Sequence, residues 1–221
     1  MLKENLDKVF EKIKNGNNLG EEILLVGATK TMPVDVINNA VDLGLCAVAE
    51  NRVQEFNEKH ELIDKRAIQH FIGHLQTNKV KYLVGKVELI HSVDSVRLAQ
   101  EIDRVANLRS VTQNVLIEVN VGGELSKSGF DFDECFNAVE TVAKTCKNVR
   151  IKGLMAMLPP SDDKELLKEL CLKMRTAYNK LKENGYDMQY LSMGMSNDYE
   201  LAINNGSNLI RLGRTIFGQR N

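Results

Sequence analysis

Tryptophan is absent, proline occurs 3 times in 221 residues, and aromatic residues make up only 5%. So little proline, with no Pro/Ser-rich stretch, low-complexity tract or composition shift, leaves no place for a linker and predicts one domain over residues 1–221. A surface poor in aromatics argues for a monomer or weak dimer rather than an obligate interface. Neither sign of charge is in excess. The 29 Lys+Arg against 30 Asp+Glu give a net charge of −1, and a protein that coats nucleic acid needs a basic surface. No hydrophobic run approaches a membrane span; the longest, such as Ile23–Ala28, are far too short. The opening MLKENLDKVFEKIKNGN is too charged for a signal peptide. Cysteines are few (46, 135, 146 and 171), form no C-x-x-C, and have no histidine at zinc-finger spacing. Cys146 falls on an apolar helical stripe and reads as a buried thiol. A reducing cytoplasm is the natural compartment.

What is present is alternation. Short β-rich apolar runs predict strands at Ile23–Ala28, Cys46–Ala49, His70–Gly73, Glu88–Val93, Asn114–Asn120, Ile151–Met157, Tyr190–Gly194 and Asn208–Gly213. Between them lie helical stripes: Leu98, Ile102 and Val105, with Asp94 as N-cap; Phe132, Phe136, Val139, Ala143 and Cys146; and Leu167, Leu170, Met174, Ala177 and Leu181. Pro33 suits a first helical turn before Ile37, Ala40 and Val41. An extra N-terminal helix buries Leu2, Leu6, Val9 and Ile13. Eight similar strand–helix units in about 200 residues favour a closed (β/α)8 TIM barrel, of class α/β, over an open doubly wound sheet.

A barrel carries its site at the C-terminal strand ends, and these predicted ends are polar. Thr29-Lys30-Thr31 follows the first strand, Glu50-Asn51-Arg52 the second, and His74 to Asn78 the third. His91-Ser92 ends the fourth. Ser192-Met193-Gly194-Met195-Ser196-Asn197-Asp198 closes the seventh, and Arg211-Leu212-Gly213-Arg214 the eighth. Lys30 follows seven uncharged residues. At the mouth of an apolar barrel its amine would be partly desolvated and free to attack a carbonyl, unless it snorkels outward. Lys79 and Lys127 are rival amines. The last two loops are the usual phosphate site of such barrels. Ser196 would precede a helix there, as an anion ligand or a plain N-cap. Gly213 would let backbone approach, with its amide and that of Arg214 donating. A Schiff-base lysine with a phosphate cradle describes a phosphorylated aldehyde, for which pyridoxal 5′-phosphate is the obvious candidate. Arg211 could face the pyridine nitrogen; a guanidinium there cannot accept a proton, so the ring would be a weak electron sink. Arg211 could equally hold phosphate or form an outward salt bridge.

At these residues the sequence resembles the YggS/PROSC family of pyridoxal phosphate homeostasis proteins. The matching segments are ATKT (28–31), ENRVQE (50–55), HFIGHLQTNK (70–79), SMGMSNDYELAI (192–203) and IRLGRTIFG (210–218). The resemblance implies a single barrel similar to the N-terminal domain of alanine racemase, the third fold type among pyridoxal phosphate proteins. It implies the cofactor as an aldimine on Lys30, with Asn51 near the ring, Arg211 near its nitrogen, and Met193, Ser196, Gly213 and Arg214 in the binding site. Ala49 and Gln69 depart from the family, which often has glycine and an aromatic residue there.

Racemases of this type need a second base, which in the relatives is a tyrosine from an additional β domain; 221 residues leave no room for one. The expectation is therefore a cytoplasmic carrier without catalysis, which buffers pyridoxal phosphate or delivers it to apo-enzymes and contacts neither nucleic acid nor membrane. The alternatives are a small amino-acid racemase with a histidine (His91 or His74) or water as second acid, and a Schiff-base aldolase acting on sugar phosphates.

Overall fold

The computed structural model describes residues 1–124 and 127–219. Its strands are β1 (Leu24–Ala28), β2 (Ala47–Glu50), β3 (Ile68–Phe71), β4 (Leu89–Val93), β5 (Gln113–Asn120), β6 (Phe130–Asp131), β7 (Val149–Met155), β8 (Tyr190–Ser192) and β9 (Leu209–Leu212). Neighbouring strands run parallel in the order β1, β2, β3, β4, β5, β7, β8, β9, and β9 pairs back onto β1. The sheet thus closes into the expected eight-stranded barrel. β6 was not expected: it adds two residues alongside the end of β5 and stays outside the ring.

Helices α1 (Leu2–Ile13), α2 (Val34–Asp42), α3 (Val53–Lys59), α4 (Val96–Leu108), α5 (Cys135–Thr145), α6 (Lys164–Glu183), α7 (Tyr199–Ile203) and α8 (Arg214–Phe217) surround it, with 3-10 turns at Thr77–Tyr82 and Phe132–Glu134. Among the described residues no helix is long and apolar enough to cross a membrane.

The barrel is a filled core. Val26, Ala47, Ala49, Leu89, Leu116, Met155 and Leu209 form one buried cluster. Each fully buried aliphatic side chain of Val or Leu size stabilises by about 1.5–3 kcal/mol. Helices bury their apolar stripes against the outside of the ring, in two larger clusters. α1 buries Leu6 and Val9 as its pattern predicts, and the Asn5 side-chain amide donates to the Ile216 carbonyl of α8 at 3.0 Å.

Three local expectations need correction. Ser95, not Asp94, caps α4: its hydroxyl accepts from the Leu98 amide at 3.3 Å, while Asp94 accepts from the Ser95 hydroxyl. On α5 the inward positions are Cys135, Ala138, Val139 and Val142, and Ala143 points out. Both adjacent residues fit a 3.6 period, and the larger valine takes the core. Cys146 is buried, but as the residue after the last turn of α5. Finally, β3 begins at Ile68, two residues before the expected His70.

Candidate functional site

An open cleft of about 1430 Å³ lies over the C-terminal ends of the strands. Its walls bring together Lys30, Asn51, Ser196, Arg211, Gly213 and Arg214, which are far apart in sequence. Met193 is different. Its side chain is fully buried in the core between barrel and helices, and it does not line the cleft. The strand it follows is short, so the alternation that put position 193 at a rim placed it on the outer face instead.

Lys30 leaves β1 on a segment tied down on both sides. Thr29 donates its amide to Ala49 O at 2.9 Å and its hydroxyl to Glu50 Oε1 at 2.7 Å. The Thr31 amide donates to Glu55 Oε2 at 2.7 Å. Lys59 joins the two carboxylates: its ammonium donates to Glu50 Oε1 at 2.8 Å, Glu55 Oε2 at 3.0 Å and Thr29 O at 3.1 Å. Burial opposes the charge of Glu55, but the Thr31 amide and Lys59 prevail and hold it below the usual carboxylate range. Thr31 has φ 65, an unfavourable conformation for a β-branched residue, and this cluster keeps it there. Sequence reading had only the ENRVQE motif, with no sign that Glu50, Glu55 and Lys59 brace Lys30.

Asn51 is set by a close approach of two turns. A Cβ on Gly73 would stand 1.9 Å from the Asn51 carbonyl oxygen, so only glycine fits. Asn51 Oδ1 is buried and has no hydrogen-bond partner among the described residues.

Ser196 lies in the turn before α7, whose N-cap is Asp198. It therefore does not cap that helix. Its hydroxyl instead accepts from the Thr215 amide at 3.3 Å, which ties the loop after β8 to the start of α8. Arg214 donates to Asn197 Oδ1 across the same pair of loops at 3.1 Å. Gly194, with φ 97, makes the turn out of β8; a Cβ there would meet Tyr199 Cα at 2.8 Å. Its carbonyl accepts from the Arg211 amide at 3.0 Å.

Arg211 points inward from β9, only 5% exposed. Its guanidinium donates to Ser192 O at 2.9 Å, to Ser192 Oγ, and to Ala156 O at 3.1 Å. An outward salt bridge is thus ruled out. Burial pulls its pKa down to about 10, still well above neutrality. Below the cleft the layer stays polar. His91 Nδ1 lies 3.3 Å from Ser192 Oγ, and its Nε2 lies 3.0 Å from His70 Nδ1. Burial lowers His70 to about 4; burial and then the charges of His70 and Arg211 push His91 far below the usual imidazole range.

His91 is therefore not a rim residue. His74 is exposed, with Nδ1 at 3.2 Å from Asp94 Oδ2 and 3.4 Å from the Ser128 hydroxyl. Because both contacts use one nitrogen, this is not a nucleophile–base–acid relay. Tyr199 does line the cleft, which sequence reading missed by treating the tyrosines as helix and strand bodies. Its hydroxyl donates to Glu200 at 3.2 Å, and burial followed by the Glu200 charge raises its pKa. Among the rival amines, Lys127 lines the cleft and binds Leu158 O at 3.2 Å and Glu124 at 2.8 Å. Lys79 does not line it and stands over Tyr82. Neither departure from the family pattern reaches the cleft: Ala49 is in the barrel core, and Gln69 bonds His60.

Glu118 is the remaining buried carboxyl of this layer, 3% exposed. Burial, then the charge of Asp94, push it up to about 7, with Arg211 pulling the other way. Folding thus favours its protonated form, and its contribution to stability falls as pH rises from its ordinary value of 4.5 to about 7. Glu118→Gln is expected to unfold roughly 3 kcal/mol later than the parent at pH 8, with no advantage below pH 4.5. Urea titrations at both pH values measure this. Among the described residues no cluster of His, Cys, Asp and Glu could hold a metal ion.

Comparison with known proteins places this geometry. The family model of the alanine racemase N-terminal domain matches residues 3–221. The chain is 42% identical over 219 residues to the pyridoxal phosphate homeostasis protein of Aquifex aeolicus, covering 98% of this chain and 94% of that one. It is 33% identical over 218 residues to the protein of the same name from Escherichia coli, covering 97% and 93%. Among solved structures, PipY of Synechococcus elongatus with pyridoxal phosphate bound superposes with a TM-score of 0.86 at 29% identity, covering 99% of this chain and 100% of that one.

Proposed function

The chain belongs to the family of pyridoxal phosphate homeostasis proteins, on the alanine racemase N-terminal domain, and from that premise we propose that it binds pyridoxal 5′-phosphate on Lys30 and holds it in reserve for other proteins. The observation that carries the reading is the convergence on one cleft of a braced lysine with the two loops after β8 and β9. When bound, the cofactor supplies an aldehyde that condenses with an amine, forming a C=N bond and releasing water.

The residues fit that group. Asn51 offers a buried amide oxygen without a partner among the described residues, on a side chain whose two ends can be exchanged to donate or accept. Ser196 and the amides of Gly213 and Arg214 offer donors to the phosphate ester, and the exposed Arg214 adds charge. Arg211, locked as a donor, would meet the ring nitrogen without giving up a proton. That disfavours transaminase-type chemistry and suits a protein that keeps its ligand unchanged. The cleft is open to solvent, as exchange with apo-enzymes in the cytoplasm requires.

A racemase would need a second base near Lys30. His91 is sealed in the barrel, His74 is paired with Asp94, and the Tyr199 hydroxyl is engaged with Glu200. Borohydride treatment of the protein mixed with pyridoxal phosphate, followed by peptide mass mapping, should place the reduced adduct on Lys30. An adduct confined to Lys79 or Lys127 would refute the assignment. Sustained α-deuteration of L-amino acids in deuterium oxide, with loss of optical purity, would make the protein an enzyme. A colourless protein that cleaves sugar phosphates would make it an aldolase.

A further inference from the structure

The polar layer beneath the cleft is a hydrogen-bond chain that crosses four strands: His70 on β3, His91 on β4, Ser192 on β8 and Arg211 on β9. Its polarity can be assigned because one end can only donate. The Arg211 guanidinium has no acceptor, so Ser192 Oγ accepts from it. The hydroxyl then has one proton of its own to place. Among the described residues, the only other side-chain partner at hydrogen-bond distance from Ser192 Oγ is His91 Nδ1, at 3.3 Å.

If His91 Nδ1 carried a proton, the serine hydroxyl would be left buried without an acceptor, at a cost that interiors avoid. His91 Nδ1 therefore accepts, and its proton sits on Nε2. That Nε2–H donates to His70 Nδ1 at 3.0 Å, which puts the His70 proton on its own Nε2. Every member points the same way around the barrel, away from β9. Arg211, Ser192, His91 and His70 are 5%, 0%, 0% and 2% exposed, so water does not compete for these bonds.

We propose that Ser192 and His91 are positioning residues for Arg211: the chain fixes both histidines as neutral Nε2–H tautomers and holds the guanidinium at one orientation beneath the cleft. The chain itself stands without any ligand. Only its service to the ring nitrogen rests on the function proposed above.

The test is nitrogen-15 NMR of the histidine side chains at pH 7 in the ligand-free protein. His91 and His70 should each show an unprotonated Nδ1 and a protonated Nε2, the Nε2–H form of His91 exceeding the other by ~10-fold or more. In Ser192→Ala that ratio for His91 should fall by ~10-fold, and Ser192→Thr should restore it. Thermal unfolding monitors whether each variant is folded. Should Ser192→Ala fail to fold, Ser192→Thr and the parent still decide the tautomer. An Nδ1–H tautomer or an imidazolium at His91 in the parent overturns the proposal, as does an unchanged ratio in a folded Ser192→Ala. For the second role, pyridoxal phosphate is titrated into Ser192→Ala. Affinity weakened ~10-fold, with a shifted visible absorbance maximum, supports positioning of Arg211; unaltered affinity and spectrum overturn it. If the parent itself takes up no pyridoxal phosphate, the proposed function fails while the tautomer measurement still decides the chain.

Discussion

Lys30→Ala is expected to bind pyridoxal phosphate at least ~100-fold more weakly and to yield no borohydride-stable adduct in the cleft. The methyl group cannot condense with an aldehyde, so the ligand keeps only its phosphate and ring contacts. Each charge-assisted hydrogen bond of that kind contributes roughly 1.5–3 kcal/mol, which holds a phosphate ester but not at the affinity of a covalent link. Equilibrium dialysis gives the affinity, and absorbance after borohydride gives the covalent fraction. The fold should be unaffected, because Lys30 is at a strand end and the bonds that shape its turn come from Thr29 and Thr31. Parent-like colour in Lys30→Ala would sink the assignment of this amine.

Lys59→Met should give the largest loss of stability, about 3–5 kcal/mol, the usual cost of removing one partner from a buried ion pair. Lys59 is 12% exposed and Glu50 is 3% exposed at the side chain. Without the ammonium, Glu50 keeps only the Thr29 hydroxyl, and its Oε2 already has no partner among the described residues. Two carboxylates would face each other in place of a bridged trio. For a chain of this length the melting temperature falls on the order of 10 °C. The Thr29–Thr31 segment loses its brace as well, so imine formation at Lys30 should slow even where the variant is fully folded. A melting curve within 2 °C of the parent, roughly the effect of 1 kcal/mol or less, would show that the trio carries little.

Most of the architecture can be read from periodicity, because each barrel strand is an apolar run long enough to show and each major helix has a buried stripe. The exceptions have physical causes. β6 has two residues and no pattern of its own; it forms because β5 extends past its neighbours and offers an edge. Between Val142 and Ala143 the period alone cannot choose. Five of the six cleft residues share one property that a sequence displays, each following a strand within a few positions, and Arg211 lies within the last strand itself. Met193 has that property too and fails, because a single step along a strand reverses the face. What stayed hidden is support. Glu50 and His91 read as strand-end groups, His70 only as the start of a strand, and nothing in the sequence singles out Glu55 or Lys59 as a partner of Glu50. Only the closed ring shows that Glu50, Glu55 and Lys59 grip the segment around Lys30 and that the two histidines lie beneath it.

The ring also orders events in time. β9 pairs with β1, and α8 leans on α1, so segments nearly 200 residues apart close the ring beside the cleft. Such distant pairing is slow to form. A chain still emerging from the ribosome has Lys30 but not yet the loops after β8 and β9 that share its cleft. On the function proposed above, the whole site exists only once β9 and the start of α8 have joined β1.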